Sequence, residues 1–382
     1  FNILNLAYTQ DNNFFNYRSL NSNKLNLDKF RNTITWTKTK IPGDMVDTWT
    51  NITMASLLDL DGDKGPVRAI RRFNNNLIAF QDKGVSQILY NEQMQMSTVE
   101  GVPIEIANSG KVAGKRYITD KKGCRNKWSI CETPMGIYFV DDINKDISYF
   151  NGQNIADISL SKGFNSYIKS KELSAIWDLK DFNSIVTYYD KVFKDVYFID
   201  KEDTLAYSEV LQEFTSFYSY ENTPYMINSD ARTLLIKDSR LWIKNKGAYN
   251  KFYDKYQPFY ITYIINQDPL NDKIFDNIEF RSDTFDGDLY LADTTFDTLN
   301  TWNEYQEGIV SLEKIKGIPS SLKKKFRIWH ANIPRWNVDK NGHIANNRDR
   351  MRNPWLYLKL SKETENEFKT ILYDTVVQYF RV

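Results

Sequence analysis

Apolar residues along this chain come in short blocks broken by Asp, Asn, Gly and Lys. In NNNLIAFQDKGVSQILYN, residues 74–91, the blocks Leu77–Phe80 and Val85–Tyr90 are hinged on Asp82-Lys83-Gly84, which predicts a β-hairpin. Gly84 is the turn residue expected at positive φ. The same phrase returns in MGIYFVDDINKDISYFNG at 135–152 and in SIVTYYDKVFKDVYFID at 184–200, which continues into DTLAYSEVLQEFTSFYSY at 203–220. A further copy is RTLLIKDSRLWIKNKG at 232–247. Turn centres roughly fifty residues apart are the spacing of β-propeller blades, each a small antiparallel sheet. A β-sandwich also places strands about 8–12 residues apart, and the recurring hairpin favours the propeller for residues 51–255. Residues 1–50, rich in Asn and Thr, predict an extended arm or an incomplete blade.

After residue 255 the texture changes. Strand-like runs alternate with acidic, turn-forming stretches, and the chain closes on WLYLKLS and TILYDTVVQYFRV. Residues 256–382 are expected to form a second, sandwich-like β domain. The whole chain is therefore read as all-β, a propeller, incomplete within these residues, followed by a C-terminal β domain. An aromatic content of 15%, with 24 Tyr and 23 Phe, suits pleated surfaces built from large side chains.

Charge changes the picture locally rather than globally. With 50 basic and 49 acidic residues the net charge is +1, which excludes a strong overall field for nucleic acid or membrane. Residues 275–307 nevertheless hold nine Asp or Glu against Arg281, and 319–354 hold nine Lys or Arg against Asp339 and Asp349. Such complementary bands suit contact between neighbouring copies. Arg327, Arg335, Trp336, Arg348, Arg350 and Arg352 are the expected interface residues.

Catalytic chemistry has little to stand on. Only His330 and His343 occur, and G-x-S-x-G, the P-loop and H-E-x-x-H are absent, so no enzymatic activity and no cofactor is expected. His330, set among aromatics, reads as a structural imidazole. Cys124 and Cys131 lack the spacing of a metal site and read as reduced thiols on neighbouring strands. DLDGDKG aligns Asp59, Asp61 and Asp63 as a weak candidate for a hard cation. Its glycine is misplaced and Ile70 stands where a bidentate Glu belongs, so an ordinary Asp/Gly turn is the better reading. Trp329, Trp336 and Trp355, interleaved with basic residues, suit either base stacking or a protein interface. No apolar run reaches the roughly twenty residues of a membrane span. Phe1 in place of Met suggests a piece of a longer precursor, whose N-terminal fragment is then an expected partner.

RRFNNNLIAFQDKGVSQILYN, KKGCRNKWSICETPMGIYFVDDINKDISYFNGQNIADIS and the closing FRIWHANIPRW and RDRMRNPWLYLKL resemble the tail nozzle, or muzzle ("stabilisation"), proteins of short-tailed, crAss-like phages. The resemblance implies a virion protein made in the host bacterial cytoplasm. It implies a ring of identical subunits at the distal end of the tail, bound to other tail and portal-ring proteins and passing duplex DNA. Within that picture Asp283, Asp286 and Asp288 are expected to face the DNA path and repel it, while Lys121 and Lys122 are the candidates for holding it. The alternative from another class is a propeller that binds or cleaves glycans on a tail or bacterial surface.

Overall fold

The computed structural model describes residues 30–37, 43, 49, 52, 56–90, 93–97, 103–107, 112–173, 184–218, 226–229, 232–312, 322–334 and 350–382. Most of the expected N-terminal arm lies outside them, as do Arg335, Trp336, His343 and Arg348. Among the described residues strands are the main element, joined by turns, two short α-helices and two single-turn 3-10 helices. The chain divides into two compact units, 1–241 and 242–382.

In the first unit, β1 (Thr33–Thr35) pairs with β2 (Leu57–Asp59). β3 (Val67–Phe73), β4 (Asn76–Gln81) and β5 (Val85–Tyr90) form an antiparallel meander. After a separate hairpin of β6 (Gln93–Ser97) and β7 (Pro103–Ala107), β8 (Val112–Thr119) completes a four-stranded sheet beside β5. A second four-stranded meander holds β9 (Cys131–Glu132), β10 (Ile137–Asp141), β11 (Asp146–Phe150) and β12 (Ile155–Asp157). Two short helices, Ile158–Ser161 and Asn165–Ser170, follow it. A third holds β13 (Val186–Asp190), β14 (Asp195–Ile199), β15 (Thr204–Ser208) and β16 (Glu213–Tyr218). β17 (Met226–Ser229) then pairs with β18 (Arg232–Lys237), and β19 (Arg240–Ile243) runs across the division between the units.

These meanders are stacked, because alternate residues of one strand enter different cores. All five residues of β10 are buried. Ile137 and Phe139 join Phe73, Ile78 and Phe80 of the first sheet, while Tyr138 and Val140 join Val196, Phe198, Leu205 and Tyr207 of the third. On the third sheet's other face Tyr197, Ile199 and Ala206 form a further core, against which Met226 packs. An edge-to-face Phe80–Phe139 pair, with centroids 5.2 Å apart, and a tilted Tyr138–Tyr207 pair, at 5.6 Å, link neighbouring sheets. The continuous apolar character of these strands is the requirement of a sheet covered on both sides.

The expectation for Gly84 fails. It is absent from the positive-φ residues, which instead include Asn74, Lys145 and Lys194 in neighbouring turns. A Cβ at Gly84 would lie 3.3 Å from both the Lys64 side chain and the Tyr117 ring, so crowding rather than backbone handedness suits glycine there. Cys131 lies on β9, but Cys124 lies in the loop ahead of that sheet. Both thiols are free and buried, and burial pushes Cys124 up to about 12, which keeps it protonated.

In the second unit, β20 (Lys251–Phe252) and β21 (Lys255–Tyr256) form a small hairpin. β22 (Phe259–Ile265) begins the next sheet. β23 (Lys273–Asp286) turns into β24 (Leu289–Tyr290), followed by β25 (Thr298–Trp302), β26 (Glu307–Ser311), β27 (Lys323–Lys325), β28 (Ile328–Asn332), β29 (Arg352–Asn353), β30 (Leu356–Lys362) and β31 (Lys369–Arg381). One sheet runs β22-β30-β25-β26, and the other β24-β23-β28-β27, with β29 and β31 also on β23. Both contribute to one core, with Leu299, Leu358 and Leu360 from the first sheet and Ile278, Phe280 and Trp329 from the second. Trp329 is fully buried and donates its indole N–H to Ser282 O at 3.2 Å, so it is not a surface for stacking bases. Trp355 is half-buried against Tyr357, edge to face at 5.2 Å.

Candidate interaction surfaces

The first unit gathers its turns at one end of the stacked sheets. The Glu209 N–H donates to Lys194 O at 3.0 Å, and the Thr133 hydroxyl donates to Glu209 Oε1 at 2.6 Å. The turns after β9, β13 and β15 therefore sit side by side. An open cavity of about 500 Å³ is lined by Arg72 and Asn74 of the first sheet, Glu132, Thr133 and Pro134 of the second, and Tyr189, Lys191 and Lys194 of the third. Three successive sheets thus send the turn after their first strand to one place.

Beneath the cavity Glu209 is buried. Thr133, Tyr138 and Tyr189 hydrogen-bond it. Burial, and then the Glu209 charge, raises both phenols, Tyr189 to about 12, so they remain protonated donors. At the cavity mouth the balance is cationic. Glu132 pairs with Arg71 at 3.3 Å, whereas Arg72, Lys191 and Lys194 are exposed and form no ion pair among the described residues. Beside them Met135, Val192 and Phe193 are 48%, 67% and 55% exposed, an unusual grouping of large apolar side chains on turn tips.

Asp59, Asp61 and Asp63 are not assembled as a metal site. Asp59 accepts from the Thr33 hydroxyl, Asp61 pairs with Lys115, and Asp63 turns to Lys64 at 3.1 Å. Among the described residues no three His, Cys, Asp or Glu come together to hold a metal ion. Lys122, expected to hold DNA, instead bridges Asp146 at 2.8 Å and Asp157 at 3.5 Å and donates to the Ser148 hydroxyl at 3.1 Å. Lys121 is exposed.

The acidic and basic bands of the second unit meet partly within the chain. Arg350 lies 3.6 Å from Asp276, and Arg352 lies 3.2 Å from Asp272. Asp297 of the acidic band is buried against Lys362, and Glu279 lies 3.3 Å from His330 Nδ1. The acidic stretch is therefore not a single wall. Asp283 is half-buried beside Tyr373, which hydrogen-bonds it. Asp286 and Asp288 stand exposed on the tip of the β23–β24 hairpin. Arg327 is exposed at another hairpin tip. A sequence reading misses the cavity, since its residues come from three segments; the exposed apolar pair inside DKVFKD, residues 190–195, is the one local signal that points to it.

Comparison with known proteins follows the same division. Solved structures with low similarity include the extracellular domain of a putative one component system from B. thetaiotaomicron, 10% identical, covering 78% of this chain and 53% of that one, with a TM-score of 0.25. The AfRom2 CNH domain is 8% identical, covering 50% of this chain and 69% of that one, with a TM-score of 0.23. Neither carries an argument about this fold. A family model described as Crassvirus muzzle protein matches residues 1–239, and one described as Crassvirus muzzle protein C-terminal domain matches residues 247–336. The muzzle protein of Bacteroides phage crAss001 is 46% identical over 380 residues, an alignment covering 100% of this chain and 27% of the relative. By both models and by that whole-chain similarity, the chain belongs to the crassvirus muzzle protein family.

Proposed function

We propose that the protein is a non-enzymatic structural component of a phage virion, a muzzle subunit of the tail. In this reading copies assemble as a closed ring at the distal end of the tail, around the path by which duplex DNA leaves. The subunit is made in the host bacterial cytoplasm and works through interfaces with its own copies, with other tail and portal-ring proteins and with the rest of its own precursor. The observation that carries the reading is the 46% identity along the whole chain to a muzzle protein. A propeller in the first unit is supported by the face-to-face stacking of its meanders and by the convergence of their first turns on one cavity, as blades converge around an axis. Heterologous contacts that close on themselves give rings, and those that do not give filaments, so closure is the feature to test.

The test is electron microscopy of the full-length polypeptide and of purified particles, with antibody against the first unit marking position. Rings that carry the label at the distal tail are expected. A monomer that binds a glycan array and decorates no tail would overturn the proposal in favour of a glycan-binding protein.

A further inference from the structure

The cavity of the first unit is short of negative charge, and one hairpin of the second unit is short of positive charge. Arg72, Lys191 and Lys194 surround the cavity, exposed and with no carboxylate partner among the described residues. Val192 and Phe193 project beside them at 67% and 55% exposure. In the second unit β23 and β24 close on a two-residue turn, with Phe285 opposite Tyr290 and Asp286 opposite Leu289. Gly287 has a φ of 58°, as the first central position of a type II′ turn requires. The tip therefore presents Asp286, Asp288 and Leu289 outward. Both carboxylates are exposed without an ion-pair partner among the described residues, and Leu289 is 64% exposed.

We infer that the Asp286-Gly287-Asp288-Leu289 hairpin of one copy docks on the turn cavity of the next, its carboxylates meeting Lys191, Lys194 and Arg72 and its leucine covering Phe193. A second copy is the occupant that the charges favour. The same chain carries both complementary surfaces, each without an ion pair among the described residues, and a two-residue hairpin tip is narrow enough for an open cavity of about 500 Å³. Because the two surfaces differ, the contact is head-to-tail, the kind that repeats from copy to copy and closes a ring. This inference rests on the ring reading and deepens it by naming the two faces.

Charge exchange tests it, using the full-length polypeptide and sedimentation at low and high salt. Lys191→Glu with Lys194→Glu sets acid against acid, and Asp286→Lys with Asp288→Lys sets base against base. Each double variant alone is expected to self-associate at least about tenfold more weakly than the parent at low salt, while the parent's own association weakens as salt is raised. An equimolar mixture of the two variants is expected to recover association, since each acidic face then meets a basic one on a different molecule. All four substitutions in one chain should recover it as well. Circular dichroism should be unchanged, because the four side chains are exposed. Parent-like association by either variant alone overturns the pairing and leaves the ring reading standing. Recovery only in the quadruple variant, and not on mixing, overturns the contact between copies and assigns it within one chain. A parent that forms no oligomer overturns the ring reading and this pairing together.

Discussion

Phe326 and Arg327 hold φ values of 51° and 66° in a two-residue turn closed by Lys325 opposite Ile328. Left-handed backbone at both central positions is the demand of a type I′ turn, met most easily by Asn-Gly. A bulky residue there costs about 1–2 kcal/mol because its Cβ approaches the following carbonyl. Phe326 is also 86% exposed, so burial returns nothing for that cost. Phe326→Asn with Arg327→Gly is therefore expected to stabilise the second unit by about 1–2 kcal/mol, read as a higher midpoint in urea; an unchanged or lower midpoint would show that the side chains hold the turn. Turn geometry of this kind was poorly legible in the sequence. Residue type alone points to Gly84 for positive φ, whereas strand register on either side decides which residue must turn left, and here it selects Lys145, Lys194, Phe326 and Arg327.

At the scale of elements, legibility followed sequence separation. The hairpins at 135–152 and 184–200 could be read because two short apolar blocks and an intervening acidic turn lie within one window. In each, an aspartate at the strand end, Asp141 or Asp190, accepts from the backbone N–H two residues on at 2.9 Å. The pairing of β23 with β31, which sets Arg281 opposite Asp374, has no such local mark. Neither has the ion pair between Asp297, ahead of β25, and Lys362, at the end of β30, whose side chains are 7% and 5% exposed. Burial raises the pKa of Asp297, but the bond from Lys362 and those from the Thr364 N–H and hydroxyl outweigh it, holding the carboxyl below its usual range. With the folded pKa below the unfolded one, the folded state binds fewer protons, so this contribution is full above about pH 4 and is lost as pH falls through the lower, folded value. Asp297→Ala leaves the Lys362 ammonium buried without its carboxylate and is expected to cost about 3–5 kcal/mol at neutral pH. Urea midpoints measured from about pH 6 down to pH 2.5 should show the parent losing an acid-dependent increment that the variant lacks. Parallel curves would mean that the pair contributes nothing to acid stability.

For the whole molecule, the proposed place in a phage tail raises the question of whether the chain would grip duplex DNA. Composition answers in part, because a net charge of +1 gives no long-range attraction to phosphate. The structure adds that several cations already have partners, namely Lys122 with Asp146, Arg125 with Asp142, Arg350 with Asp276 and Arg352 with Asp272. That cancellation was illegible in the sequence, where stretches rich in Lys and Arg look free whether or not a carboxylate lies opposite. Non-specific duplex binding releases roughly one counterion per phosphate contacted, so affinity and its salt dependence both count the cations still available. The chain is accordingly expected to bind duplex DNA more weakly than about 10⁻⁵ M at physiological salt, with a slope of log K against log salt shallower than about −3. Lys122→Ala should leave that affinity unchanged, while its loss from Asp146 and Asp157 lowers stability. Lys121→Ala, which removes an exposed cation, should reduce the slope by no more than about one. Fluorescence anisotropy with a short duplex across a salt series measures all of these. Sub-micromolar affinity with a steep slope, abolished by Lys122→Ala, would mean that the ammonium leaves its carboxylates for phosphate and that the chain grips duplex DNA.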